Sequence, residues 1–155
     1  MKKTVYLDTT IPSYLFDNRE SIKYPCEITR KWWDEESTNF DIFISLETIA
    51  ELNKGNYPRK KEILEFVGGI EQLRFVPEIK DIVQHYINTK LMPLEASGDA
   101  VHLAYASYYK IDFLLTWNCN HLANANKRRH IAIINARLAL FIPEIITPME
   151  LFAER

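Results

Sequence analysis

The side chains able to do chemistry in this chain of 155 residues are acids set far apart in sequence. Asp8 follows the apolar run Val5-Tyr6-Leu7. Glu47 follows Ile42-Phe43-Ile44-Ser45, and Asp99 opens a stretch of small and apolar residues after Pro93 and Gly98. Carboxylates brought together repel in proportion to how poorly solvent screens them. A divalent cation removes that cost, and a hard ion such as Mg²⁺ prefers oxygen ligands and retains waters. Such an ion polarises a phosphoryl oxygen and supplies hydroxide for in-line attack. Asp8, Glu47 and Asp99 have the donor chemistry for this, at spacings that only folding can join. Thr116 and Asn118, just past Phe113-Leu114-Leu115, are placed to orient water or a neighbouring acid.

The elements that must position these residues are short apolar strands alternating with helices. Strands are expected near residues 4–8, 41–45, 74–76, 112–116 and 145–147. Thr10 and Pro12 read as the start of a short helix, with Thr10 as its cap. A second helix covers 21–36, and Ser45 is placed to cap a third that Gly55 stops. Pro58 opens a fourth, which Gly68-Gly69 breaks, and residues 78–90 carry a helical apolar period. A further helix runs on from Asp99, and 120–141 is mainly helical. This pattern predicts one domain over 1–155: an α/β fold, a three-layer α/β/α sandwich with a mainly parallel central sheet. Ligands in such sheets sit outside the carboxyl ends of the strands. Asp8, Glu47 and the Thr116–Asn118 turn lie there, and Asp99 joins them from a helix start.

Other classes are disfavoured. The formal net charge of −2 argues against a broad nonspecific grip on nucleic acid. It hides an asymmetry, because residues 126–155 hold 5 Lys/Arg against 3 Asp/Glu while the rest of the chain is acidic. An acidic site beside a basic rim is compatible with that distribution. Two cysteines, Cys26 and Cys119, are too few for a disulfide framework, which makes a reducing compartment the default. The opening lacks the apolar core of a signal peptide, and no apolar run is long enough for a membrane span, so a cytoplasmic protein is expected. The glycines fit neither a Rossmann fingerprint nor a Walker A loop, and there is no G-x-S-x-G elbow.

Three segments carry a resemblance. VYLDTTIPSYLFD, SLETIAELNKG and GDAVHLAYASYYKIDFLLTWNCNHLAN resemble, in order and spacing, the PIN-domain family of VapC type, the nuclease half of toxin–antitoxin pairs. The resemblance runs from Val5 to the ITPMELF end. It implies that Asp8, Glu47 and Asp99 hold Mg²⁺ or Mn²⁺, that the reaction is endonucleolytic cleavage of RNA, and that the partners are a second copy of the chain and a small antitoxin. Thr9 beside Asp8, and Asn120 and His121 beside Asn118, join the residues expected to touch substrate or to steady the acids. Where the family commonly carries a fourth acid, this sequence has Asn118 and Asn120. An asparagine offers a neutral oxygen but no balancing charge. A nuclease-inactive PIN fold that binds RNA or a protein partner is therefore the alternative reading.

Each residue also has a plainer reading. Glu47 and Asp99 would be favourable in a first helical turn on electrostatic grounds alone. His102 reads as a packed, hydrogen-bonded histidine, and His121 as one tied to its turn. Lys54, with Arg59, Lys60 and Lys61, and Arg128, with Lys127 and Arg129, are basic runs that either face solvent or position phosphates. The adjacent Trp32 and Trp33 point about 100° apart on a helix, so one is expected in the core and the other at an edge.

Overall fold

The computed structural model describes residues 1–154. Among the described residues five strands form a single sheet: β1 (Lys3–Leu7), β2 (Phe40–Ile44), β3 (Glu71–Gln72), β4 (Phe113–Leu115) and β5 (Glu144–Ile146). Their spatial order is β3-β2-β1-β4-β5, and every pairing is parallel. Helices α1 (Thr10–Leu15), α2 (Lys23–Glu36), α3 (Leu46–Asn53), α4 (Lys60–Gly68), α5 (Pro77–Asn88), α6 (Ser97–Tyr108) and α7 (Ala125–Arg137) connect them. Parallel strands need such crossovers, and the helices cover both faces of the sheet.

The period-two alternation of strand side chains builds the two cores. On one face, Tyr6, Leu114 and Ile145 pack against α5, α6 and α7 through residues such as Tyr86, Leu103 and Ile131. On the other, Val5, Leu7, Ile44 and Leu115 meet Ile11 of α1, Trp32 of α2, Leu52 of α3 and Ile63 of α4. Trp32 is fully buried, lies near the Phe40 ring and donates from Nε1 to the Leu151 carbonyl at 3.0 Å, tying down the chain's end. Trp33 stays half-buried at the edge, its ring 4.9 Å from that of Phe66. The expected division of the pair holds.

The order of the strands locates the crevice. From β1 the chain steps outward to β2 and β3, then crosses over to β4 and β5 on the other side of β1. Helices leaving neighbouring strands in opposite directions leave a gap at that switch point, between the carboxyl ends of β1 and β4. Leu7 pairs with Leu115 there, Asp8 N–H donates to the Leu115 carbonyl, and Thr116 N–H donates to Ile146. Asp8 and Thr116 are thus the first residues beyond two adjacent strands.

Four local expectations need correction. The strand expected at 74–76 is instead β3 at Glu71–Gln72, and pairing ends when Leu73 N–H donates to the Ile44 carbonyl. Residues 74–76 are strand-like in composition, but Val76 is extended because Pro77 follows it, not because it is paired. Thr10 is inside α1 rather than its cap, since its hydroxyl and N–H both donate to Asp8. Ser45 occupies the position before α3 but makes no capping bond, its hydroxyl being engaged by Tyr6. The helix expected over 120–141 is shorter, because Asn118 organises a loop and Asn124 caps α7 through the Lys127 N–H at 2.8 Å.

Candidate functional site

Asp8 leaves β1 into the gap and is buried, with both oxygens in use. Oδ1 accepts from the Thr10 N–H at 2.9 Å and its hydroxyl at 2.5 Å, and Oδ2 accepts from the Thr116 hydroxyl. Thr116 in turn accepts from the Asn118 N–H at 2.9 Å. Asn118 carries the network across the crevice. Its Nδ2 donates to Asp99 Oδ2 at 3.0 Å, while its Oδ1 accepts from the N–H groups of Asn120 and His121. Of the residues expected from the sequence, Asp8, Thr116, Asn118 and Asp99 therefore form one connected set.

Thr9 belongs to a second set. Its hydroxyl donates to Glu51 Oε1 at 2.5 Å, and the same oxygen lies 2.5 Å from Nε2 of the buried His102. On the other side of that ring, Nδ1 is 2.6 Å from the Tyr6 hydroxyl, which is itself 2.6 Å from Ser45 Oγ. With the imidazole protonated, both ring nitrogens donate and Tyr6 passes its own hydrogen to Ser45. The packed-histidine reading of His102 agrees with this geometry. It sits one helical turn from Asp99 on α6, so the two sets share a wall.

Glu51 is the residue that sequence reasoning missed. It lies one turn beyond Glu47 on α3, hence on the same face, and that spacing was the available signal. The approach to α6 is close: a Cβ on Gly98 would come within 2.5 Å of Glu51 Oε2 and 3.3 Å of Glu47 Oε1. Gly98 is the residue whose missing side chain admits both acids beside Asp99. Glu47 is half-buried at the rim of this contact and also borders an apolar groove with Leu46 and Phe75.

The remaining candidates lie further out. Lys54 and Arg59 line a cavity next to Thr9 and Glu51, whereas Lys60 is committed to the carbonyls of Asn53 and Gly55. Arg128 donates from Nε to the Ile145 carbonyl at 2.7 Å and approaches Glu150, so it braces the β5 edge. Asn120 is exposed and His121 partly so, both tied by their N–H groups to Asn118.

The electrostatics set the acids against one another. Burial pushes the Asp8 carboxyl above its ordinary range, against the pull of His102, Thr10 and Thr116. Burial raises Asp99 as well, with the Glu51 charge adding to it and His102, Asn118 and His121 opposing it. For Glu51 the penalty of burial is outweighed by the His102 hydrogen bond and charge and by Thr9, and its pKa is lowered. For His102 burial acts downward, but the Glu51 bond and charge, with Asp8 and Glu47, prevail and raise it. The carboxylates around His102 thus favour its protonated form against the cost of burial. Among the described residues no buried side-chain polar atom lacks a hydrogen-bond partner.

A divalent cation would have to compete with these bonds. The oxygen donors of Asp8, Glu51 and Asp99 are of the type a hard ion prefers. Yet both oxygens of Asp8 already accept from protein donors, and one oxygen of Glu51 is held by Thr9 and His102. Among the described residues no three Asp, Glu, His or Cys side chains gather as a ligand set. As placed, Asp8, Glu51 and Asp99 are turned to protein donors, and an ion would have to displace those bonds.

Two solved structures resemble the whole chain. One is VapBC2 from Rickettsia felis bound to a DNA fragment from their promoter, with a TM-score of 0.57 and 14% identity over 93% of this chain and 98% of that one. The other is FitAcB from Neisseria gonorrhoeae, with a TM-score of 0.56 and 18% identity over 95% and 99%. No family model matches the chain, and no curated protein does. Among the described residues no helix is long and apolar enough to cross a membrane. At these identities the likeness is one of architecture: the chain has the three-layer α/β/α fold, with a parallel central sheet, of PIN-like proteins.

Proposed function

We propose that this chain is a PIN-fold module that engages single-stranded RNA at the crevice between β1 and β4. It acts as a cytoplasmic homodimer and as one half of a toxin–antitoxin-type pair with a small protein partner. With its side chains as described, it binds RNA without cutting it. The observation that carries this reading is the engagement of the acids: both oxygens of Asp8 and one oxygen each of Glu51 and Asp99 are hydrogen-bonded to the chain's own donors, and among the described residues no group of three is arranged to hold a metal ion. The order of the three sequence segments and the architecture shared with VapBC2 and FitAcB support the pairing with a partner protein. VapBC2 bound to promoter DNA supports an association with nucleic acid.

A second reading, Mg²⁺- or Mn²⁺-dependent cleavage of RNA, has one specific observation in its favour. Asp99 and Glu51 repel each other in a partly desolvated crevice, a cost that a hard cation would relieve. Cleavage requires those carboxylates to exchange protein donors for the ion. Calorimetric titration with Mn²⁺ alone, paired with incubation of end-labelled RNA in millimolar Mn²⁺, separates the two. Anisotropy-detected RNA binding without saturable Mn²⁺ uptake or cleavage upholds the binding module. Cleavage that disappears in folded Asp8→Asn and Asp99→Asn upholds the nuclease. Absence of RNA binding refutes both.

A further inference from the structure

Next to the crevice lies a cavity of about 630 Å³ that shares Thr9 and Glu51 with it. Its volume is in the range of about 300–1,000 Å³ typical of sites for small organic groups. The walls bring together the aromatic rings of Phe16 and Tyr57, Lys54 and Arg59 set positive charge against the acids Glu51 and Asp17, and Ser13 and Asn18 add polar groups. Arg59 is unusual in two ways. Its backbone is left-handed, with φ of 62°, a conformation that costs energy for a residue with a side chain. Its guanidinium is also held in place, forked onto Glu62 at 2.8 and 3.1 Å and lying 4.9 Å over the Phe16 ring.

We infer that this cavity receives one unstacked base of the RNA, from the nucleotide next to the phosphate lying in the crevice. The inference rests on the RNA-binding reading above and deepens it. Flat aromatic and guanidinium surfaces are what single-stranded nucleic acids stack upon, because every base has a π-face. The continuity through Thr9 and Glu51 means that a chain crossing the crevice delivers its neighbouring base to the cavity mouth. Lys54 sits on the same wall as Glu51 and offsets its charge there, so a phosphate arriving beside that acid meets a cation. Ser13 and Asn18 have the donors and acceptors to contact a base edge, which makes the cavity the place where the protein would distinguish one base from another.

Two variants test the assignment. Ser13→Phe fills the cavity from its half-buried wall. Arg59→Gly removes the guanidinium while supplying the residue best suited to a left-handed backbone. Binding of short fluorescent A, C, G and U homopolymers is followed by anisotropy, with circular dichroism as the check on folding. Each variant is expected to weaken the preferred homopolymer by about tenfold, a loss within the range of base–aromatic stacking. Ser13→Phe is also expected to level the differences among the four. Two folded variants with wild-type affinity and wild-type preference overturn the assignment while leaving the crevice reading intact. If Ser13→Phe does not fold, Arg59→Gly on the exposed rim decides alone. A wild-type protein that binds none of the four homopolymers overturns both readings.

Discussion

Replacing Gly98 with alanine would put a methyl carbon 2.5 Å from Glu51 Oε2 and 3.3 Å from Glu47 Oε1. The backbone itself tolerates alanine, and within a helix the change contributes up to about 1 kcal/mol in propensity. The conflict is therefore confined to the acids. Glu51 must swing away, and it loses its contacts to Thr9 and His102, both at 2.5 Å. Hydrogen bonds to charged groups contribute roughly 1.5–3 kcal/mol each, and the partial exposure of Glu51 argues for the low end of that range. Set against the propensity gain, the net loss is about 2–3 kcal/mol. For a domain of this size that lowers Tm by roughly 4–12 °C. With Glu51→Ala already present only Glu47 Oε1, at 3.3 Å, still crowds the methyl group, so the same Gly98→Ala change should raise stability by less than about 1 kcal/mol. Urea denaturation of the four proteins in this double-mutant cycle reads both signs directly. A stabilising Gly98→Ala in the wild-type background would refute the claim that Gly98 exists to admit Glu51.

Tyr6→Phe removes the hydroxyl between His102 and Ser45 and strands both, so it should cost about 1–3 kcal/mol in chemical denaturation, although only one oxygen is lost. Asp8→Asn has a pH signature. Burial raises the Asp8 pKa in the fold, so the wild type loses stability as pH rises from the unfolded value near 3.8 through the folded one. The uncharged variant escapes that loss. In chelator-treated buffer its stability relative to the wild type should climb over this window and then level off; a pH-independent difference would contradict the buried carboxylate. Light scattering at micromolar concentration should find a particle of twice the 18.2 kDa chain mass, and a particle of one chain mass would reject the homodimer.

The sheet and its helical crossovers were legible because Val5-Tyr6-Leu7, Ile42-Phe43-Ile44 and Phe113-Leu114-Leu115 are short apolar runs bounded by polar turns. β3 was not. Its two residues, Glu71 and Gln72, are exposed and polar, and edge strands need no apolar pattern when only their backbone is used. Phe75 and Val76 attracted the assignment through strand propensity, yet Phe75 lies 56% exposed and unpaired beside the turn into α5. Asp8, Thr116 and Asn118 stand directly after apolar strands, the position where a parallel sheet presents its polar residues to a crevice, and this made them legible. Glu51 has no such position. It comes a full turn into α3, where a glutamate ordinarily faces water. Its role depends on Gly98, 47 positions later in sequence, and on a histidine buried beneath it. The Tyr6 hydroxyl was hidden for a similar reason: a tyrosine inside an apolar strand reads as core until its polar tip is seen to meet Ser45 and His102.

RNA lying across the carboxyl edge of β1 and β4 is the central claim, and photocrosslinking tests that position directly. Single-stranded RNA carrying 4-thiouridine, irradiated on the folded 155-residue chain and mapped by mass spectrometry, should mark peptides containing Thr9–Arg19, Glu47–Arg59 and Trp117–His121. Crosslinks confined to the opposite edge of the sheet, around Lys3, Asp41 and Asp112, would contradict it.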